Sequence, residues 1–334
     1  MKSISKSFSN LLSSFLLVYL PRTRGCSNNT ISAYRDTFVL YMQFMSDTHK
    51  MKPEKILFTD FTATNITSFL QWLEEERCCS INTCNNRLAA LKSFFRYVQK
   101  ETPEWIDISS AILAMPAKKT AQSEILYLSV GALQLLLEKA QNESVRDLAL
   151  LSLLYDSGAR VQEVSDLIIS DLRLEKPATV KLTGKGNKTR IVPLTTKVAD
   201  ILSKYVKSLR ITSQNETVFK NWRNEPIGRA GIAYVLQKHA QSANAVSPSL
   251  IPKKVTPHML RHSKAMHLLE NGVNLIYIRD LLGHNTVVTT EVYAKANPEM
   301  KRKAIEASSE NILQGSNYNS DEKDDLIRWL RETI

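Results

Sequence analysis

Through the first hundred residues the apolar positions recur at helical spacing and nowhere alternate. Residues 11–20 read as an apolar helix closed by Pro21 and a basic loop over 22–27. Asn28, Asn29 and Thr30 cap a second helix over 31–46, with Ile31, Tyr34, Phe38 and Met42 on one stripe. A third helix starts after residues 62–65 and turns Ile66, Phe69, Leu70 and Leu73 inward. A fourth spans 81–100, with Leu88, Leu91, Phe95 and Val98 on its core side and Arg87, Lys92, Arg96 and Lys100 among its polar positions. Short connections and no strand pattern predict an all-helical bundle over residues 1–110. From residue 102 onward Pro103, Pro116, Lys118, Lys119 and a polar run break the period, and the linker is placed at 111–124.

Beyond residue 125 the pattern becomes mixed. Ser129 caps a helix reaching about residue 140, and a strongly apolar helix over 145–155 must be central to a second core; Asp156-Ser-Gly158 stops it. Arg160 and Glu163 open the next helix as a buried or cleft-facing charged pair. Residues 178–182 and 189–194 read as short strands joined by a hairpin with a basic tip, which carries Lys185 and Lys188. Helices follow at 198–209 and 228–241. Thr256 and Pro257 then supply an N-cap and first helical position, so His258 and Arg261 share a first turn suited to an anion. After a helix that ends at Gly283-His284 come Thr289 to Tyr293, a basic helix over 299–307, a polar loop and a short amphipathic helix over 321–334 carrying Leu326, Trp329 and Leu330. The fold class is therefore mostly α with a small antiparallel β-sheet, the second domain spanning 125–315 and a tail 316–334.

Composition narrows the function. The formal net charge is +11, concentrated in residues 125–315 rather than in a lysine-rich tail, which points to a folded surface that meets a polyanion. The serine-interrupted apolar run near the start is too short to cross a bilayer and has no cleavage site, so a cytoplasmic chain without a membrane segment is expected. Cys26, Cys78, Cys79 and Cys84 have no metal-binding spacing and are expected as reduced, buried thiols.

Arg160, Lys185, His258, Arg261, His284 and Tyr293 form a set suited to phosphoryl transfer without a metal. Two arginines clamp the charge that builds on the non-bridging oxygens. Tyr293 is a nucleophile whose pKa adjacent cations can lower, a lysine on a hairpin can protonate the departing oxygen, and the histidines orient phosphate or move the nucleophile's proton.

These residues sit in strings that resemble the tyrosine recombinases of the phage-integrase family: Leu154-Tyr-Asp-Ser-Gly-Ala-Arg160-Val-Gln-Glu163, Gly184-Lys185-Gly-Asn-Lys188-Thr-Arg190-Ile-Val-Pro-Leu194, His258-Met-Leu-Arg261-His262, and Leu281-Leu-Gly-His284 through Tyr293. Residues 27–35 are similar to the start of that family's SAM-like core-binding domain. The resemblance implies Tyr293 as nucleophile of a 3′-phosphotyrosyl DNA link, Arg160 and Arg261 on the scissile phosphate, Lys185 as general acid, His258 assisting proton transfer, His284 hydrogen-bonding the phosphate and Glu163 buttressing them. It further implies no cofactor, no metal and no ATP. The expected partners are double-stranded recombination sites, bound by a homotetramer that resolves a Holliday junction, with sister recombinases or a directionality factor as further partners. Arg87, Lys92, Arg96, Lys188 and Arg190 are expected to touch DNA. Lys264-Ala-Met266, Ala294 and Ala159 depart from the family's usual wording without removing a catalytic group. Integration or excision of a mobile element is the expected role, ahead of chromosome-dimer resolution. A DNA-binding regulator and a type IB topoisomerase are the rival readings.

Overall fold

The computed structural model describes residues 7–120, 125–184, 186–284, 286, 290–293 and 302. Lys185, Ala294, the basic helix apart from Arg302, and the tail with Leu326, Trp329 and Leu330 lie outside the described residues. The chain divides into two compact units, Met1–Gln122 and Ser123–Ile334.

The first unit is helical among the described residues. Helix α1 (Phe8–Ser14) widens into a π-helical stretch, Phe15–Thr23, that carries Pro21 inside it. The expected stop at Pro21 is thus displaced by two residues, because this proline, having no N–H to offer, sits where the backbone has already left α geometry. Helices α2 (Asn28–His49), α3 (Ala63–Glu75) and α4 (Ile81–Glu101) begin at Ser27, Thr62 and Ser80, whose hydroxyls each accept from a backbone N–H three residues on. A fifth helix, α5 (Ile106–Ala114), occupies part of the stretch expected to be irregular. It folds because Ile112 is fully buried against the same core and the Lys92 ammonium donates to the Met115 carbonyl just past its end. The core is aromatic: Phe94 meets the rings of Phe8, Phe15, Phe38 and Phe95 edge-on at centroid distances of 5.9, 5.3, 5.0 and 5.3 Å.

The second unit is built around α7 (Val145–Ser157), with Leu150, Leu151 and Leu153 fully buried. Helix α6 (Val130–Glu143) precedes it, and α8 (Val161–Ser165) follows after Gly158, which takes φ 57° as the left-handed cap. Strands β1 (Leu172–Arg173), β2 (Thr179–Thr183) and β3 (Thr189–Pro193) form an antiparallel sheet in that order. Then come α9 (Thr196–Ser208), α10 (Arg229–Val246), α11 (Pro257–Glu270) and α12 (Leu275–Leu282). The Thr256 hydroxyl caps α11 on the Met259 N–H, with Pro257 in the first turn, as the sequence requires.

All four cysteines are free, but only Cys84 is buried; Cys78 is exposed and Cys26 and Cys79 are half-buried, which corrects the expectation of uniformly buried thiols. Among the described residues no helix is long and apolar enough to cross a membrane.

Replacing Phe94 by Ala removes the ring on which the first core converges. Equilibrium urea unfolding of the full chain should register a loss of about 3–5 kcal/mol, against a much smaller loss for Phe94→Leu.

Candidate active site

The site grows from one carboxylate and one helix end. Glu163 enters the first turn of α8 and is 4% exposed. Its Oε1 accepts from Arg160 Nη1 at 3.0 Å and Arg190 Nη1 at 2.8 Å. Its Oε2 accepts from the Arg160 backbone N–H and from Arg190 Nη2, both at 2.8 Å. Burial alone would raise the pKa of this carboxyl; the hydrogen bonds and charges of the two arginines outweigh it and hold the group below its ordinary range. Gly184, at the neck of the β2–β3 hairpin, packs so closely that a Cβ there would stand 2.9 Å from Oε1.

The other anchor is the C-terminal end of α12. Its consecutive carbonyls each accept from a different arginine: Leu281 O from Arg190 Nε at 2.9 Å, Leu282 O from Arg261 Nη2 at 2.6 Å, and Gly283 O from Arg160 Nη2 at 3.2 Å. These are carbonyls a helix leaves without an internal partner, at the negative end of its dipole. Arg261, 3% exposed, also donates from Nη1 to Gly158 O at 2.6 Å, so the left-handed turn after α7 helps aim it. Burial, with Arg160 adding to it, lowers its pKa to about 10, which leaves the guanidinium charged at neutral pH. Three guanidinium groups thus gather about Glu163 and the end of α12, a net positive cleft. Arg160, Gly184, Lys188, Thr189, Arg190, Asp280, Gly283 and His284 line it, enclosing about 380 Å³.

Tyr293 is 3% exposed and its hydroxyl lies 2.9 Å from Nδ1 of His262. The sequence suggests a phenol made more acidic by cations, but the net effect runs the other way. Burial dominates and raises the Tyr293 pKa, while Arg261 and Arg160 offset only part of it. His284 Nδ1 lies 3.0 Å from the Thr290 hydroxyl, and its ring lies nearly parallel to that of Tyr293, 9° apart with centroids at 6.5 Å. Burial and the surrounding arginines bring the His284 pKa down to about 4, so the imidazole is neutral. His258, at the exposed start of α11, stacks on His262 at 5.7 Å, and partial desolvation beside Arg261 and Arg160 lowers its pKa too.

Arg160, Glu163, Arg261, His284 and Tyr293 are therefore brought together, with His258 at the rim and Lys185 outside the described residues. Of the residues expected on DNA, Lys188 lines the cleft and Arg96 is exposed. Arg87 instead donates to the Ala33 carbonyl at 2.8 Å and the Thr37 hydroxyl at 3.2 Å, tying α4 to α2. Lys92 ties α4 to the end of α5. Arg190, half-buried at the cleft wall, also buttresses Glu163, and the strand period carries that signal: Arg190 pairs with Leu182 in the inward row of β3 with Val192, while Ile191 faces out at 71% exposure. His262, one turn after His258, is the site residue to which the sequence reading gave no role.

The model of the phage integrase family matches residues 127–300, and that of the phage-integrase N-terminal SAM-like domain matches residues 11–105. The chain belongs to the phage integrase family. A Sinorhizobium fredii protein named as an integrase/recombinase, y4rC, is 35% identical over 327 residues, covering 97% of this chain and 98% of its own. The tyrosine recombinase XerD of Oceanobacillus iheyensis is 35% identical over 283 residues, covering 82% and 90%. Among solved structures, the Tn1549 transposon integrase with circular intermediate DNA matches at TM-score 0.68 and 17% identity, covering 89% of this chain and 99% of its own. The XerH recombinase bound to its difH substrate after cleavage matches at TM-score 0.65 and 21% identity, covering 88% and 84%. These two share the fold. This integrase-family chain is a tyrosine recombinase, a protein of site-specific DNA recombination, and its mostly helical architecture with a small antiparallel sheet is the family's.

Glu163→Gln leaves three clustered arginines without their counter-charge and should cost roughly 2–4 kcal/mol in urea unfolding at neutral pH, toward the lower end because Arg160 is 36% exposed. The folded carboxyl titrates below the ordinary 4.5. Its contribution is therefore fully present above that pH and fades as pH falls through the folded value; the variant should lose this acid dependence.

Proposed function

We propose that this recombinase cuts and rejoins DNA through a 3′-phosphotyrosyl intermediate on Tyr293. The observation that carries the reading is the convergence of Arg160 and Arg261 on the end of α12, with Tyr293 buried beside Arg261 under their influence. A guanidinium has five N–H donors, and carbonyls and Glu163 engage only some of those on Arg160 and Arg261, which leaves fixed donors for a phosphodiester. The positive cleft attracts the phosphate, and the arginines stabilise the charge that develops as Tyr293 Oη attacks. His284, neutral and fixed by Thr290, is a hydrogen-bond donor to the same phosphate. Lys185 is the general acid for the 5′ oxygen; Gly184, immediately before it, lines the cleft. The protein link conserves the phosphodiester bond energy, so neither a metal nor ATP is required. Four protomers act on two duplexes through a Holliday junction.

The biological reading is integration or excision of a mobile element, supported by the near full-length likeness to the y4rC integrase/recombinase. Chromosome-dimer resolution is the second reading. Transfer of a marked DNA segment between two replicons, scored against resolution of a dimeric plasmid, separates the two.

Wild type incubated with a nicked duplex selected by binding should give a covalent protein–DNA adduct that survives denaturation and is unaffected by chelator. Tyr293→Phe should give none, and Arg160→Ala should slow formation by about 10²–10³-fold. Tight, selective binding with no adduct from wild type would instead favour a DNA-binding regulator.

A further inference from the structure

The buried phenol of Tyr293 poses a problem that the arginines do not solve. Its pKa is raised, so the hydroxyl carries its proton at neutral pH and some group must receive that proton when the oxygen attacks. His258, to which the family resemblance assigns proton transfer, has its ring on His262 rather than on Tyr293. His284 presents its face to the Tyr293 ring, and its Nδ1 is engaged with Thr290. Among the described residues, His262 is the histidine within hydrogen-bond distance of the reacting oxygen, Nδ1 to Oη at 2.9 Å.

We propose that His262 is the general base for the nucleophile, taking the Tyr293 proton on Nδ1 as Oη attacks the scissile phosphorus. This rests on the phosphotyrosine reading and deepens it. The Oη–P bond forms and the P–O5′ bond breaks; its electron pair stays on O5′, which is protonated by the leaving-group acid, while His262 becomes the imidazolium. Rejoining runs in reverse: the 5′ hydroxyl attacks, Oη departs and His262 returns its proton. The assignment requires the Nε2–H tautomer of His262 in the resting state.

The surroundings favour a base that starts empty. Burial first, then the adjacent His258 and Arg261, lowers the His262 pKa, so the ring is neutral at physiological pH. Among the described residues, the charged and titratable groups facing it are His258 and Arg261 on its own helix, Tyr293 and His284 beyond it, and Lys254 in the adjoining hollow, which His262 also lines. None of these is an anion that would hold a resting imidazolium. Arg261 next to Tyr293 opposes the burial penalty on the phenolate as the proton leaves.

A purely structural His262 would hold the hydroxyl in place, and glutamine can do that by hydrogen bonding without accepting a proton. The test compares wild type, His262→Gln, His262→Ala and Tyr293→Phe in single-turnover cleavage of a nicked duplex selected from a random pool by binding, with duplex affinity as the control for folding. His262→Gln and His262→Ala should bind as wild type does and cleave about 10²–10⁴-fold more slowly. Free imidazole should partly restore His262→Ala. A bridging sulfur at the 5′ position, which needs no leaving-group acid, should not restore either variant. The wild-type rate should fall on the acid side with a midpoint below the ordinary imidazole value, and that limb should vanish in His262→Gln. Cleavage by His262→Gln at the wild-type rate, or full restoration by the bridging sulfur, overturns the assignment while the phosphotyrosine reading stands. Absence of a Tyr293-dependent adduct in wild type overturns that reading itself, and the proposal with it.

Discussion

The site depends on three cations being held together, an arrangement that repels itself unless opposite charge is built between them. Glu163 supplies one full negative charge and uses both oxygens, accepting from Arg160 and Arg190. The carbonyls of Leu281, Leu282 and Gly283 supply the rest, one to each of Arg190, Arg261 and Arg160. A helix terminus is well suited to this, since its last carbonyls point along the axis and carry the dipole's partial negative charge. The local chain geometry follows from that demand. Gly158 and Gly283 take left-handed conformations and offer carbonyls to Arg261 and Arg160, and a Cβ on Gly283 would come within 3.0 Å of Arg190.

Glu163 and Asp280, the latter already paired with Arg279, do not balance Arg160, Arg190, Arg261 and Lys188, and the cleft is left short of negative charge. The deficit is the chemical meaning of the site, because a phosphodiester brings the missing charge and meets donors already fixed in place. Burial first, with the nearby cations adding to it, keeps the neighbouring histidines neutral: those at 258, 262 and 284 all have lowered pKa values. The arginines therefore attract the phosphate and add to the burial that keeps the imidazoles in the form that can accept a proton. Tyr293 lies where burial outweighs their pull, which makes proton removal a distinct requirement of the reaction.

Much of this was legible in the sequence because local rules and tertiary demand agree. Thr256-Pro257 caps α11 and Gly158 stops α7 by backbone chemistry that needs no partner, and α3 buries the stripe Ile66, Phe69, Leu70 and Leu73 that its spacing predicts. The misses are places where a residue's neighbours come from distant segments. Spacing suggests only a DNA contact for Arg190, although its period in β3 sets it inward; Glu163, 27 positions away, explains why a charge can be half-buried there. The sign of the Tyr293 shift turns on how deeply the ring is buried, which no spacing reveals. Helix α5 was hidden by flanking prolines and lysines, and is held by Ile112 against an aromatic core built from earlier helices.

The most direct test of the whole arrangement is a crystal structure of the chain with a gapped duplex and orthovanadate, which takes the place of a phosphate with five oxygen neighbours. Vanadium should be bonded to Tyr293 Oη, with Arg160 and Arg261 on its equatorial oxygens and Arg190 still held by Glu163 and Leu281. Vanadate bound away from Tyr293, or arginines that abandon the end of α12 to reach it, would contradict the claim that the carboxylate and the helix end pre-build the phosphate site.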